Sequence, residues 1–176
     1  DMKQTNISVF IPHYGCTHIC SFCNQKTISG HSEPVTEKEL ESILEGQLEN
    51  LKDSGTKAQI AFFGGSFTAI DRDYMIRLLT VAKRYTDAYP EQYDGIRCST
   101  RPDCIGNEVL ELLQKLNKIK PVFVELGLQT IHENSAQYIR RGYALSVFDD
   151  AVKRLKCADI EVIVHVILGL PYETEE

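Results

Sequence analysis

The chain has 176 residues, 43% hydrophobic and 25% charged, which is the balance of a single globular domain over 1–176. That balance excludes collagen, a disordered tail and a disulfide-dense mini-protein. Lys and Arg number 19 against 25 Asp and Glu, a formal charge of −6, and with no basic block any nucleic-acid partner would need help from elsewhere. With no apolar run long enough to span a bilayer and no signal-peptide pattern at the N-terminus, we expect no membrane partner and a cytoplasmic location.

In chain order, Ile7–Pro12 reads as the first strand, being short, apolar and β-branched or aromatic. A cysteine-bearing loop over 13–31 follows. A helix is expected from Thr36, where Thr-Glu-Lys-Glu forms a capping box and Leu40, Ile43, Leu44, Leu48 and Leu51 share one side. Strands are then expected at Gln59–Phe63, Gly95–Thr100, Pro121–Leu128 and Ile160–Leu168. Helical spacing fills the intervals over Asp73–Tyr85, Asn107–Leu116, Glu133–Arg140 and Val147–Cys157. This alternation predicts an α/β fold with a parallel sheet, rolled or doubly wound.

A doubly covered open sheet should be apolar on both faces. In the fourth strand Val122, Val124, Leu126 and Leu128 share one phase, while Phe123, Glu125, Gly127 and Gln129 share the other. In the fifth, Val162, Val164, Val166 and Leu168 oppose Ile163, His165, Ile167 and Gly169, and in the third Arg97, Ser99 and Arg101 lie in phase. A polar face beneath outer helices suits a partial (β/α) barrel with a ligand-holding interior. Any one of these groups is equally a core residue satisfied by its neighbours; three strands in phase favour the interior site.

The cysteines are Cys16, Cys20, Cys23, Cys98, Cys104 and Cys157. The last three are scattered and read as small buried or half-buried residues. The first three are spaced C-x3-C-x2-C on one loop after the first strand. In a reducing compartment such a trio holds a metal or does redox chemistry. Three thiolates can ligate three irons of a 4Fe–4S cube and leave the fourth open. Zinc is the competing reading, with His13, His18 or His31 as fourth ligand, although no second C-x2-C knuckle is present.

With Phe22 just before its last cysteine, the C-x3-C-x2-C loop resembles the radical S-adenosylmethionine (SAM) superfamily, and the resemblance covers essentially the whole chain. It implies that Cys16, Cys20 and Cys23 hold the 4Fe–4S cluster and that Gly64-Gly65-Ser66-Phe67-Thr68 meets the methionine amino group of SAM. It also implies that Val166-Ile167-Leu168-Gly169 passes the adenine, that Gln129 lies near the ribose, and that Arg141 lies near the SAM carboxylate. Phe10-Ile-Pro-His13 through Asn24-Gln25 and Ser99-Thr-Arg-Pro-Asp103 look like the elongator-type tRNA-modifying members. Glu125-Leu-Gly-Leu-Gln-Thr130 and His165-Val-Ile-Leu-Gly-Leu-Pro171 look like their short bacterial relatives, among them the queuine lyase group. Two departures stand out: the chain stops after the fifth strand, where six βα units are usual, and it lacks the elongator-type acetyltransferase domain.

The resemblance implies reductive cleavage of SAM to a 5′-deoxyadenosyl radical, with electrons from a donor such as flavodoxin or ferredoxin, acting on a modified nucleobase derived from tRNA. A porphyrinogen-oxidase-like reaction, an intact tRNA substrate, and a zinc-stabilised binding module without catalysis are the alternatives. Substrate contact is expected from Tyr14, Arg97, Arg101, Glu125 and His165, with Glu125 and His165 in the catalytic roles. Arg offers a bidentate fork, a carboxylate accepts from a purine-like N–H edge, and an imidazole moves protons near neutral pH. Arg97 and Glu125 pairing inside the barrel, and His165 as a hydrogen-bonded core residue, are the structural alternatives.

Overall fold

The computed structural model describes residues 4–11, 20, 21, 23 and 33–174. Its regular elements are β1 (Gln4–Ile11), α1 (Glu37–Ser54), β2 (Lys57–Gly64), α2 (Arg72–Ala88), β3 (Tyr93–Thr100), α3 (Asn107–Asn117), β4 (Val122–Gln129), α4 (Glu133–Tyr138), α5 (Leu145–Cys157) and β5 (Glu161–Val166). Single 3₁₀ turns follow β2 at Phe67–Ala69 and β3 at Pro102–Cys104.

All five expected strands form, with ends displaced by a few residues. Pro12, the expected end of the first, lies outside the described residues. The helices begin and end for local reasons. At the start of α1 the Thr36 hydroxyl accepts from the Glu39 N–H at 3.2 Å, and Glu39 Oε2 accepts from the Thr36 N–H at 2.7 Å. Asp71 caps α2 through the Tyr74 N–H at 2.9 Å. The fourth helix stops at Tyr138, short of the expected Arg140, because Arg140 takes a left-handed φ of 54° that no helix accommodates.

The strands lie in the order β1-β2-β3-β4-β5, and every neighbouring pair is parallel. Each crossover therefore moves one strand in the same direction. Right-handed crossovers that never reverse direction place all their helices on one face, which decides for a rolled sheet over a doubly wound one. The opposite face becomes the concave interior. Between the convex face and the helices sits the apolar core, where Val9, Ile60, Phe62, Val124 and Leu126 meet Leu40, Leu44 and Leu78, all fully buried. Each buried Leu of α1 contributes about 1.5–3 kcal/mol of transfer free energy.

The far strand differs from its pattern. Val164, Val166 and Leu168 carry the aliphatic phase, yet they are 43%, 56% and 89% exposed. Leu126, the β4 residue beside Val164, is fully buried. As an edge strand, β5 has a neighbour on one side only among the described residues.

Candidate active site at the carboxyl rim

Loops leaving β2, β3 and β4 meet at the carboxyl ends of the strands, where barrel enzymes build their sites. The β2 loop is fixed by close approach. Gly64 has φ of 119°, and a Cβ there would lie 2.2 Å from the Ile11 carbonyl oxygen. The next residue, Gly65, donates its N–H to that same carbonyl at 3.0 Å. Only glycine satisfies both demands at 64, so the loop is pinned to the end of β1, where the cysteine loop departs. Ser66 and Phe67 are buried, and the Phe67 ring stacks on Phe62 at 4.5 Å, anchoring the turn in the core. Thr68 ties this loop to the next, donating to the Cys104 carbonyl at 2.6 Å and sharing a 2.6 Å hydrogen bond with Thr100.

Within electrostatic reach of Cys20 lies a charged knot. Arg101 is buried, and its fork grips Asp103 through Nε to Oδ1 at 2.9 Å and Nη2 to Oδ2 at 2.8 Å. Its remaining nitrogen, Nη1, donates to the Arg141 carbonyl at 3.1 Å. All three nitrogens are thus engaged within the protein, with one further N–H on each Nη outside these three bonds. Burial pushes the Asp103 carboxyl up, but hydrogen bonding to Arg101 and the charge of its guanidinium together hold it below the usual carboxylate range. Arg101 also interacts electrostatically with Cys104 and Cys20. Arg141 is fully buried and donates to the carbonyls of Tyr143, Thr130 and Leu128 at 3.0, 2.6 and 3.2 Å. Both guanidiniums sit 4.9 Å from the centre of the Tyr143 ring, a cation–π arrangement. The Tyr143 hydroxyl donates to the Gly127 carbonyl. Burial pushes that phenol up to about 12, against the opposing charges of Arg141 and Arg101.

Of the three cysteines expected to hold a metal, Cys20 and Cys23 are described, and both are partly exposed. The Cys23 N–H donates to the Cys20 carbonyl at 3.0 Å, closing a turn between them. Ser21 anchors this turn on the end of α4, its N–H reaching the Ile139 carbonyl at 3.0 Å and its hydroxyl the Tyr138 carbonyl at 3.3 Å. Two accessible thiols on one turn, with a guanidinium charge near Cys20, form a donor set that suits an iron–sulfur cluster. Cys16, Phe22 and Tyr14 lie outside the described residues, as do His13, His18 and His31.

On the concave face the expected polar residues come together. Arg97 Nη1 donates to Glu125 Oε1 at 2.7 Å, and His165 Nε2 lies 3.0 Å from Glu125 Oε2. The second contact is one of distance only. The imidazole N–H is not aligned on the oxygen, and Glu125 Oε2 is buried without a hydrogen bond among the described residues. The His165 side chain is 53% exposed and opens this pair to solvent.

Gln129 takes a left-handed φ of 66° at an irregularity in the β4–β5 register. Its amide folds back over Gly127, so close that a Cβ at 127 would lie 2.5 Å from Nε2. Holding a non-glycine residue there costs about 1–3 kcal/mol, strain of the kind that collects at functional sites. Leu168 and Gly169 follow β5 and are exposed. Sequence reading missed Tyr143, which joins Arg101 to Arg141, and Gln59, a buried amide that accepts from Arg97 Nε at 2.7 Å. Gln59 had a signal: it is the one polar residue in Ala58-Gln-Ile-Ala-Phe-Phe63, and its phase points away from the helix-facing Ile60 and Phe62.

No helix among the described residues is long and apolar enough to cross a membrane. The chain is 29% identical over 168 residues to YtqA of Bacillus subtilis, an uncharacterized protein, covering 94% of this chain and 49% of that protein. It is 29% identical over 140 residues to a tRNA uridine(34) acetyltransferase of Methanocaldococcus jannaschii, covering 71% of this chain and 25% of that protein. The archaeal Elp3 of Methanocaldococcus infernus shares the fold, with a TM-score of 0.68 at 18% identity over 98% of this chain and 40% of that one. The chain spans about half the length of the curated relatives YtqA and MJ0486 that it matches. Residues 10–176 match the radical SAM superfamily, and the chain therefore belongs to that superfamily, whose enzymes use a 4Fe–4S cluster and SAM.

Proposed function

We propose that this core acts on a modified nucleobase derived from tRNA, as a queuine lyase that cuts queuine down to 7-aminomethyl-7-deazaguanine in queuosine salvage. The observation that carries this reading is the Glu125 carboxylate, buried on the concave face with Oε2 beside His165 yet without a hydrogen bond among the described residues. A buried carboxylate oxygen without a donor is costly, and a purine-like base supplies N–H groups along one edge. A tRNA uridine(34) acetyltransferase among this chain's relatives supports a substrate derived from tRNA. The formal charge of −6 favours the free base over intact tRNA.

When bound, the cluster and SAM supply a 5′-deoxyadenosyl radical. Cys16, Cys20 and Cys23 hold the cluster, with Phe22 beside them. The main chain of Gly64 and Gly65, with Ser66 and Phe67 fixing its turn, receives the methionine end of SAM. Gln129 meets the ribose, Leu168 and Gly169 flank the adenine, and Arg141 and Arg101 contribute positive charge on the carboxylate side. Tyr14 and Arg97 border the substrate. Glu125 accepts from the base edge, and His165 holds or releases a proton at Nε2 beside it. A one-electron donor such as flavodoxin or ferredoxin, in a reducing cytoplasm, completes the set.

The test is 5′-deoxyadenosine formation by anaerobically reconstituted protein, with queuine and with a porphyrinogen in parallel. Queuine is expected to stimulate turnover and to yield 7-aminomethyl-7-deazaguanine. Stimulation by the porphyrinogen alone would transfer the assignment to that substrate class, and stimulation by neither would remove both.

A further inference from the structure

Gln59 is a buried amide on the concave face that the proposed reaction does not use. Its place follows from strand register. Gln59 pairs with Gly95, Arg97 with Phe123, and Glu125 with Ile163. Passing from Gln59 to Arg97, Glu125 and His165 therefore crosses one strand and climbs two residues at each step. The four side chains form a diagonal stair from the interior of the sheet to its carboxyl rim. Its contacts are Gln59 Oε1 to Arg97 Nε at 2.7 Å, Arg97 Nη1 to Glu125 Oε1 at 2.7 Å, and Glu125 Oε2 to His165 Nε2 at 3.0 Å.

The way Arg97 meets Glu125 is unusual. Left alone, a guanidinium grips a carboxylate with two nitrogens and covers both oxygens. Here the Nε–H is already held by Gln59, and the guanidinium carbon rests 5.6 Å from the centre of the Phe123 ring. Only Nη1 of the guanidinium reaches Glu125, and Oε2, with His165 Nε2 3.0 Å away, is left without a hydrogen bond among the described residues.

We infer that Gln59 is a positioning residue: by holding Arg97 Nε it limits Arg97 to a single contact with Glu125 and keeps Oε2 open for a donor N–H of the substrate. Without an acceptor at 59, the guanidinium turns and takes both carboxylate oxygens. The consequence for substrate rests on the nucleobase reading above, whereas the restraint on Glu125 does not.

The test compares Gln59→Met, which keeps shape but loses the acceptor, with Gln59→Glu, which keeps the acceptor. Gln59→Asn, which withdraws the acceptor by one methylene and retains the amide, is measured alongside in case the methionine variant does not fold. In the full chain without cluster, the side-chain ¹⁵N resonances of His165 at one fixed pH report whether the Glu125 carboxylate has moved. They are expected to shift in Gln59→Met and Gln59→Asn and to return in Gln59→Glu. In reconstituted protein, binding of 7-aminomethyl-7-deazaguanine is expected to weaken about tenfold in the first two and to recover in the third. Unmoved His165 resonances in Gln59→Met and Gln59→Asn, or a Gln59→Glu spectrum displaced as theirs is, would overturn the inference. If the wild type fails to bind the base while the resonances follow the expected pattern, the positioning role stands and the nucleobase reading falls.

Discussion

The two kinds of cysteine in this chain differ by environment rather than by type. Cys98 sits on the convex face of β3 inside the apolar core, and burial, aided by the Glu125 charge, pushes its thiol up to about 12. A thiol enclosed in the apolar core and disfavoured as thiolate is poorly placed to ligate a metal, since the thiolate is the ligating form. Cys20 is partly exposed on its turn and lies within electrostatic reach of Arg101. Cys98→Ala is therefore expected to leave the iron and sulfide content of anaerobically reconstituted protein unchanged. Cys20→Ala is expected to abolish both, together with the brown colour. Iron retained in the second variant, or lost in the first, would mean that the cluster is held elsewhere.

At the scale of the element, α1 shows how far local sequence reaches. Its capping box satisfies two otherwise orphaned groups at once, and Leu40, Leu44, Leu48 and Leu51 recur every three or four residues on the buried side. Thr36→Ala removes the acceptor for the Glu39 N–H and is expected to cost about 1 kcal/mol, read as a fall of roughly 2–4 °C in melting temperature for a chain of this size. No change in melting would mean that α1 is held by its packing alone. The strands and helices were legible because such signals are written within a few neighbouring residues. The polar phase of β3, β4 and β5 was legible too, and it locates the concave site. Pairing across the sheet was not. Nothing local says that Arg101 closes on Asp103 and the Arg141 carbonyl together, because the Arg141 contact joins residues 40 positions apart. Gln59 was passed over for a related reason: a lone amide in an apolar run acquires meaning only when Arg97, 38 residues away, turns out to face it. The exposure of Val164 and Val166 likewise belongs to the position of β5 in the sheet, which its own apolar alternation does not encode.

For the molecule as a whole, the distribution of charge bears on the choice between a free base and intact tRNA. A protein that binds a phosphate backbone gathers unpaired Lys and Arg on one face and releases counterions as it docks. Here several basic groups are paired with carboxylates: Arg72 with Glu108, Arg77 with Glu37, Arg84 with Glu41, and Lys83 and Lys120 with Asp87. Arg97 and Arg101 belong to the interior and rim, and each is paired with an acid as well. Binding tRNA through these groups would open such pairs, against an overall charge of −6. Filter binding of intact tRNA to this chain is therefore expected to be weak, with log K falling by less than about one unit per tenfold rise in salt. A slope of roughly −3 or steeper would report several phosphate contacts. It would place the scissile base within a bound polynucleotide, and Glu125 would then read a base presented on a strand.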